Sequence, residues 1–345
     1  MAIIQNISSI NKNGPSRTAA TLEKYIKRAK GLEVLARKAI TSSMPYAIEQ
    51  GQPISPMQLA AWLIKDMRSG RISSSTYRQY KSALIASFGL LKSSDEVSEA
   101  IDLLKQTLHE SGVKPVVKRA SARKSKTISM DDLVKLSEYM QNREGKYNKL
   151  AVLWLTASYH MGLRPCEWKL ATIVDGVVFS ENEPPEMALR VVNAKNTNGR
   201  SHGKFRNLPL MHLDTYSRET VIEFIELLSI EMQGMTFEAL YNGCKCAIYN
   251  NSRRCFSRRR NGVSMYTMRH QFSANAKNSL SLQEVGALMG HAVADTSKTH
   301  YAKARSGIEV PGLKAASNEV ARVKKETTNP FVSKIDQMDG QHTAG

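Results

Sequence analysis

The sequence predicts a mainly α chain with small β hairpins: an all-helical domain in front, an α+β domain behind, and a basic linker between them. Three observations predict it. Up to about residue 110 the apolar residues recur at helical spacing, and several of these runs open on capping signatures. From Ser111 to Lys126 the periodicity stops, and SGVKPVVKRASARKSK holds six basic residues, no acid and a proline. Beyond it, helical patterns resume around two hairpin-like stretches, at 171–179 and 187–211.

Composition narrows the partners. A chain of 345 residues has material for two domains with buried cores. Its 49 Lys and Arg against 31 Asp and Glu give a net charge of +18, which favours a polyanion, most commonly nucleic acid. No run of about 18 apolar residues and no basic amphipathic anchor is present, which argues against a membrane. The N-terminus lacks the pattern of a secretory leader. The four cysteines, Cys166, Cys244, Cys246 and Cys255, suit neither a disulfide framework nor a zinc pattern, so a reduced cytoplasmic setting is expected, with no metal.

Residues 1–16 read as a flexible polar arm and 17–112 as the helical domain. Its first helix is predicted from Thr18 to about Ser43, on the spacing of Leu22, Ile26, Ala29, Leu32, Leu35, Ala36 and Ala39. Ser55-Pro56-Met57-Gln58 opens the second, with Ser as N-cap, Pro at the first helical position and Gln closing the capping box; it runs to Gly70. Serines 73–75 open a third, carrying Tyr77, Tyr80, Leu84 and Phe88. A capping box from Ser93 to Glu96 opens a fourth, carrying Val97, Ile101, Leu104 and Leu108. The linker, 113–127, offers Lys114, Lys118, Arg119, Arg123, Lys124 and Lys126 either as a solvated tether or as a strap across phosphates.

The second domain is predicted over 128–312. Ser129 caps a helix bearing Leu133, Leu136 and Met140. Asn148–Met161 is the most apolar helix and the expected core, with Gly162 as its C-terminal cap. ATIV-DG-VVF reads as a hairpin with an Asp-Gly turn. Met187–Asn193 should pair with Asn207–Met211 through a long polar tip that carries Arg200 and Lys204. Helices follow at about 215–231 and 236–250, then an arginine cluster with Arg258, Arg259 and Arg260 as further phosphate contacts. In the C-terminal segment, 313–345, one more helix is expected over about 314–326.

The chemistry concentrates between Tyr266 and Tyr301. No acid occurs from Ala239 to Gln283 although eight Lys and Arg do, and none from Met187 to Leu213, where five basic residues fall. Such regions are prepared for an anion. Tyrosine, arginine and histidine are what phosphoryl transfer without a metal needs: a hydroxyl nucleophile, fixed cationic donors and a neutral hydrogen-bond donor.

Gly162-Leu163-Arg164-Pro165-Cys166-Glu167, Lys195 on a hairpin, Arg269 followed by His270, Gly290-His291 and Tyr301 occur in that order. In this order the chain resembles the tyrosine recombinases, the phage-integrase family, over roughly residues 128–305; the helical domain resembles that family's core-binding domain by type and position. The resemblance implies that Arg164 and Arg269 hold the non-bridging oxygens of a scissile phosphate and that Tyr301 attacks phosphorus. It implies that Lys195 protonates the departing 5′ oxygen, His291 hydrogen-bonds the phosphate and Glu167 supports. Where the family usually carries histidine, three residues before the second arginine, this chain has Tyr266, whose phenol can donate a hydrogen bond but is a poor base near neutral pH. His291 and Tyr301 lie ten residues apart, one more than is commonest in the family. Lys204 competes with Lys195, and Arg164 with Glu167 could be a local ion pair.

The implied protein is a site-specific DNA recombinase, an integrase of a mobile element working through a 3′-phosphotyrosyl bond without ATP, metal or other cofactor. Its partner would be double-stranded DNA, clamped by both domains, with a monomer free in solution and a homo-tetramer on two DNA sites. The same residues would also serve a type IB topoisomerase-like enzyme, and the same fold a DNA-binding regulator without activity.

Overall fold

Capping chemistry decides where the first helices begin. The computed structural model describes residues 19–43, 52–108, 124–180, 182, 184–194, 196, 201–259, 261–308 and 314–325, with only the backbone for 298–300. The predicted site residues Lys114, Lys118, Arg119, Arg123, Lys195, Arg200 and Arg260 lie outside these, as does the N-terminal arm. The chain divides into two compact units, Met1–Ala120 and Ser121–Gly345.

The first unit contains α1 (Ala19–Ser43), α2 (Pro56–Arg68), α3 (Ser74–Phe88) and α4 (Asp95–Gln106). At α2 the Ser55 hydroxyl accepts from the Gln58 amide at 3.3 Å and the Ser55 amide donates to the Gln58 side chain at 3.0 Å, the expected reciprocal cap. The cap of α4 is Ser94, one residue later than predicted: its hydroxyl accepts from Val97 N, which places Asp95 and Glu96 in the first turn, where the helix dipole favours them. Leu32, Leu63, Met67, Tyr77, Leu84 and Leu104 form the buried core. Leu35 and Leu108, counted in the apolar spacing, are exposed.

The second unit is built on α5 (Met130–Gln141) and α6 (Asn148–Met161). As expected, α6 is the core helix: Trp154 lies 5.4 Å from Phe224 and 5.6 Å from Phe237 between ring centroids. After a 3₁₀ turn at Pro165–Leu170 come β1 (Thr172–Val177), β2 (Glu186–Val192) and β3 (Phe205–Pro209), an antiparallel sheet in the order β1-β2-β3. The β2–β3 pairing is the predicted hairpin. The predicted Asp-Gly hairpin is not formed. Val174 pairs with Ala188 and Val177 with Glu186, so Asp175 and Gly176 are a bulge inside one strand. Pairing with β2 supplies the ladder that a two-residue turn would have needed from Val177-Val178-Phe179, and the extra residues bend the strand.

Then follow α7 (Thr215–Gly234), α8 (Phe237–Cys255), α9 (Met265–Ser279), α10 (Leu282–Met289), α11 (Asp295–His300), a 3₁₀ turn at Ala304–Ser306 and α12 (Ser317–Val320). The helix expected over 314–326 is a single turn. Its neighbours bond to other elements instead: Ser317 N donates to Phe179 O, and Lys324 exchanges bonds with Ala292 and Ala294. The last linker residues are likewise docked. Ser125 N donates to Gly262 O at 2.9 Å, and Ile128 N to the Gln271 side chain at 3.0 Å. Among the described residues no helix is long and apolar enough to cross a membrane.

Candidate active site

The site grows from the end of α6. Gly162 closes that helix with φ +64°, and any Cβ there would run into the Phe272 ring, so glycine answers both the backbone and the space. The chain then turns into the 3₁₀ segment with Arg164 at its cap. Glu167, one turn on, accepts from the Arg164 amide at 2.8 Å and from its guanidinium at 2.6 Å. The local ion pair that the sequence allowed is therefore real, but it is part of something larger. Arg206 on β3 reaches the other carboxylate oxygen at 2.8 Å, and Arg269 on α9 stands 3.8 Å from it. The Ala194 amide, one residue before position 195, also donates to Glu167 at 3.3 Å.

Three guanidinium groups around one carboxylate leave two positive charges in excess in a buried site. Burial alone would raise the Glu167 pKa; Arg206, Arg269 and Arg164 outweigh it and hold the carboxyl well below the usual carboxylate range. Arg206 is fixed in turn by the Leu288 carbonyl at 2.8 Å and by the Asn193 side chain. A side chain at Gly290, where φ is +68°, would collide with that Arg206–Asn193 pair. The two glycines of the motifs thus let the arginines approach.

Arg269 has no exposed surface. Its guanidinium donates to the carbonyls of Gly162 at 2.6 Å and Met289 at 2.8 Å, to the Tyr301 hydroxyl at 3.0 Å, and meets His291 Nε2 at 3.1 Å. Because arginine can only donate, His291 Nε2 accepts, and Nδ1 carries the proton toward Ser297 Oγ at 3.0 Å. Burial, then Arg269, Arg164 and Arg206, push the His291 pKa far down, so the ring is neutral. The Tyr301 ring lies between two imidazoles, 5.1 Å from His270 and 5.2 Å from His291, with the Arg269 guanidinium carbon 5.3 Å from its centre. His270 is also neutral; burial, with Lys126, Arg269 and Lys277 nearby, lowers its pKa to about 4.

The polar face of α9 holds the strand of chain that carries Tyr301. Lys277 Nζ donates to the carbonyls of Ser297 at 2.6 Å and Ala302 at 2.8 Å, bracketing the tyrosine. Gln271 donates to Ser306 O, and Ile308 N donates to the Asn275 side chain. Between His291 and Tyr301 the chain forms α11, which ends at His300 and leaves Tyr301 in extended backbone.

Of the predicted residues, Arg164, Glu167, Arg269, His291 and Tyr301 converge. Tyr266 stands apart from the hydrogen-bonded cluster. It is 43 % exposed, and its hydroxyl makes no hydrogen bond among the described residues. Lys124, Lys126, Lys204 and Arg258 are exposed. Lys204 lies over the Phe205 ring at 5.1 Å. Arg259 is engaged by Asp132 through two bonds of 2.7 Å and packs on Phe256 at 4.3 Å. Arg206, Ser297 and Lys277 were missed, and His270 was named in the motif without a role. Only Arg206 had a usable signal: an arginine alternating with Leu208 on the inward face of an acid-free strand. Among the described residues no cluster of three or more His, Cys, Asp or Glu could hold a metal.

No protein-family model matches the chain, and no curated protein does. Among solved structures it is similar to a lambda integrase dimer bound to a COC′ core site, at 17% identity over 86% of this chain and 75% of that one, TM-score 0.46. It is also similar to the XerH site-specific recombinase bound to difH substrate, at 17% identity over 83% of each chain, TM-score 0.44. The chain itself is mostly helical with one small three-stranded antiparallel sheet.

Proposed function

We propose that the protein is a site-specific DNA recombinase of the tyrosine class, an integrase acting on double-stranded DNA. One observation carries the reading: the Tyr301 hydroxyl sits 3.0 Å from Arg269 in a buried site with an excess of positive charge. A nucleophile is thereby held against the groups that would stabilise a phosphorane-like charge. A phosphodiester entering the site would take over Arg269 Nε from the hydroxyl and complete its charge balance with Arg164. Tyr301 Oη would give up its proton to water and form a bond to phosphorus as the bond to the 5′ oxygen breaks, leaving a 3′-phosphotyrosyl link, with Lys195 giving a proton to the departing oxygen. The ester bond is exchanged rather than hydrolysed, so no ATP is consumed. For His291 to donate to the phosphate its proton must move to Nε2. Ser297 permits this, because a hydroxyl can accept from Nδ1 or donate to it. Strand exchange would assemble four protomers on two DNA sites.

The complete closure of Arg269 beneath Tyr301 equally suits a DNA-binding regulator that never cleaves. A pool of nicked duplexes that trap the cleaved state separates the two. Covalent protein–DNA adduct should form and map to Tyr301 by mass spectrometry, and Tyr301→Phe should abolish it while DNA binding persists. Adduct formation by Tyr301→Phe, or none by the parent chain on any duplex, would sink the proposal. Recombinant products from two-site DNA, rather than relaxed circles alone, distinguish recombinase from topoisomerase.

A further inference from the structure

Beside the buried cluster, where α8 passes the amino end of α9, lies a cavity of about 300 Å³ that the proposed cleavage does not use. Three tyrosines line it. Tyr241 is locked by the core, edge-on to Trp154 at 6.0 Å between centroids. Tyr249 is 54 % exposed and Tyr266 43 %. Lys124 and Lys245 stand at its rim, and the backbone from Gly262 to Met265 forms another wall. That wall is set by the docked linker end, through the bond from Ser125 N to Gly262 O at 2.9 Å. Among the described residues no acidic side chain lines the cavity, and apart from Lys124 its lining falls inside the acid-free run from Ala239 to Gln283. The active-site cluster is adjacent: Tyr266 sits three residues before Arg269 on α9, and its phenol feels the charges of Arg269 and Arg164.

Large aromatic rings left at the surface around a hollow call for an occupant. The lining selects it. Phenol rings offer flat faces and hydroxyls but no charge, lysines offer charge without shape, and the first-turn amides of α9 favour an anion. A flat heterocycle carried on a phosphate chain meets all three requirements. A base still paired and stacked in a duplex cannot enter a cavity. We infer that this cavity takes an unpaired nucleobase of the DNA strand next to the scissile phosphate, stacked against Tyr249 and Tyr266, with Lys124 and Lys245 on its flanking phosphates. Tyr266, the residue that departs from the family pattern, thereby becomes a wall of a base-binding site. The inference rests on the DNA reading above, but its test does not require cleavage.

The test compares binding of the full chain to three probes at fixed salt: a 30-base-pair duplex, the same duplex with one unpaired 2-aminopurine, and the single strand. Stacking of one base on aromatic side chains implies roughly five- to a hundredfold tighter binding of the bulged duplex than of the paired one. The 2-aminopurine fluorescence should be quenched on binding. Tyr249→Ala should bring the bulged-to-paired ratio close to one, and Tyr249→Phe should keep it, since the face and not the hydroxyl stacks. Lys245→Ala should flatten the salt dependence. A parent ratio of one overturns the inference, as does a ratio unchanged in Tyr249→Ala. A Tyr249→Ala chain that alters its sedimentation state but not the ratio would mark the cavity as a protein interface instead. Because Tyr249 lies largely outside the core, circular dichroism should show a folded variant. A bulge preference without any Tyr301 adduct leaves this inference standing and removes the cleavage reading; adduct without bulge preference does the reverse.

Discussion

The two units bury different things. Among the described residues, the first unit encloses only apolar side chains and one tyrosine, and every buried polar or charged group lies in the second. Leu63, Met67 and Leu84 are simply removed from water, a gain that grows with area and asks little of geometry. Arg164, Glu167, Arg206, Arg269 and His291 are instead held by named bonds from α6, β3, α9 and α10, each of which must be made if the charges are to be tolerated. The first kind of core tolerates substitution by size. The second is sensitive to single atoms, because a buried charge that loses its partner is left uncompensated.

The strongest test of that contrast changes charge and almost no volume. Glu167→Gln leaves three guanidinium groups facing one another and should destabilise the second unit by about 3–5 kcal/mol. Arg206→Met in the same chain should recover part of this, giving a coupling between the two positions in urea unfolding followed by the buried Trp154 and Trp168. Additive effects would mean that the ion pair is not what holds the site.

A deletion of volume is the counterpart in the first unit. Leu63→Ala, at a fully buried position, should cost about 2–5 kcal/mol there. Trp62 is the only tryptophan in that unit, so a chain with Trp154 and Trp168 replaced by phenylalanine reports it selectively. A shift as small as a few tenths of a kcal/mol would show that the apolar core is looser than its burial implies.

Acid should separate the units less sharply, and in a defined direction. The folded pKa of His270 is near 4, below the unfolded value of about 6.5, so the unfolded chain binds the proton first as pH falls. Stability is therefore lost between about 6.5 and about 4, and His291, lowered in the same sense, adds to the loss. The Glu167 carboxyl, also lowered, contributes stability that disappears only at still lower pH. Urea midpoints for the second unit should fall from pH 7 to pH 5, and His270→Gln should flatten the fall without removing it. A midpoint that rises on acidification would contradict the burial of neutral imidazoles.

Tyr266→Phe should have the smallest effect, less than about threefold on single-turnover cleavage of a nicked duplex, because its hydroxyl bonds to nothing in the cluster. A loss of ten- to a hundredfold, equivalent to a hydrogen bond to a charged group of about 1.5–3 kcal/mol, would mean that the phenol turns onto the phosphate when DNA binds.

Much of this was legible from residue order. Caps at Ser55, Ser73 and Ser129, the apolar run of α6 and the glycine stops at Gly162 and Gly290 are local events, settled by neighbours within four residues. Arg164, Arg269, His291 and Tyr301 could be named because their order along the chain resembles a family's motif set, not because each carries a local signal of its own. Tertiary structure decided what depends on partners distant in the chain. It turned Asp175-Gly176 from a turn into a bulge by supplying β2, and it cut the last helix to one turn by giving its backbone other partners. It buried polar side chains of α9, because Gln271, Asn275 and Lys277 bind the backbone that follows Tyr301. It brought Arg206 to Glu167 across 39 residues and left the Tyr266 hydroxyl out of the cluster. Residue types and spacing specify which groups a site contains; only the folded chain determines which of them share one carboxylate, because that sharing is a matter of distance.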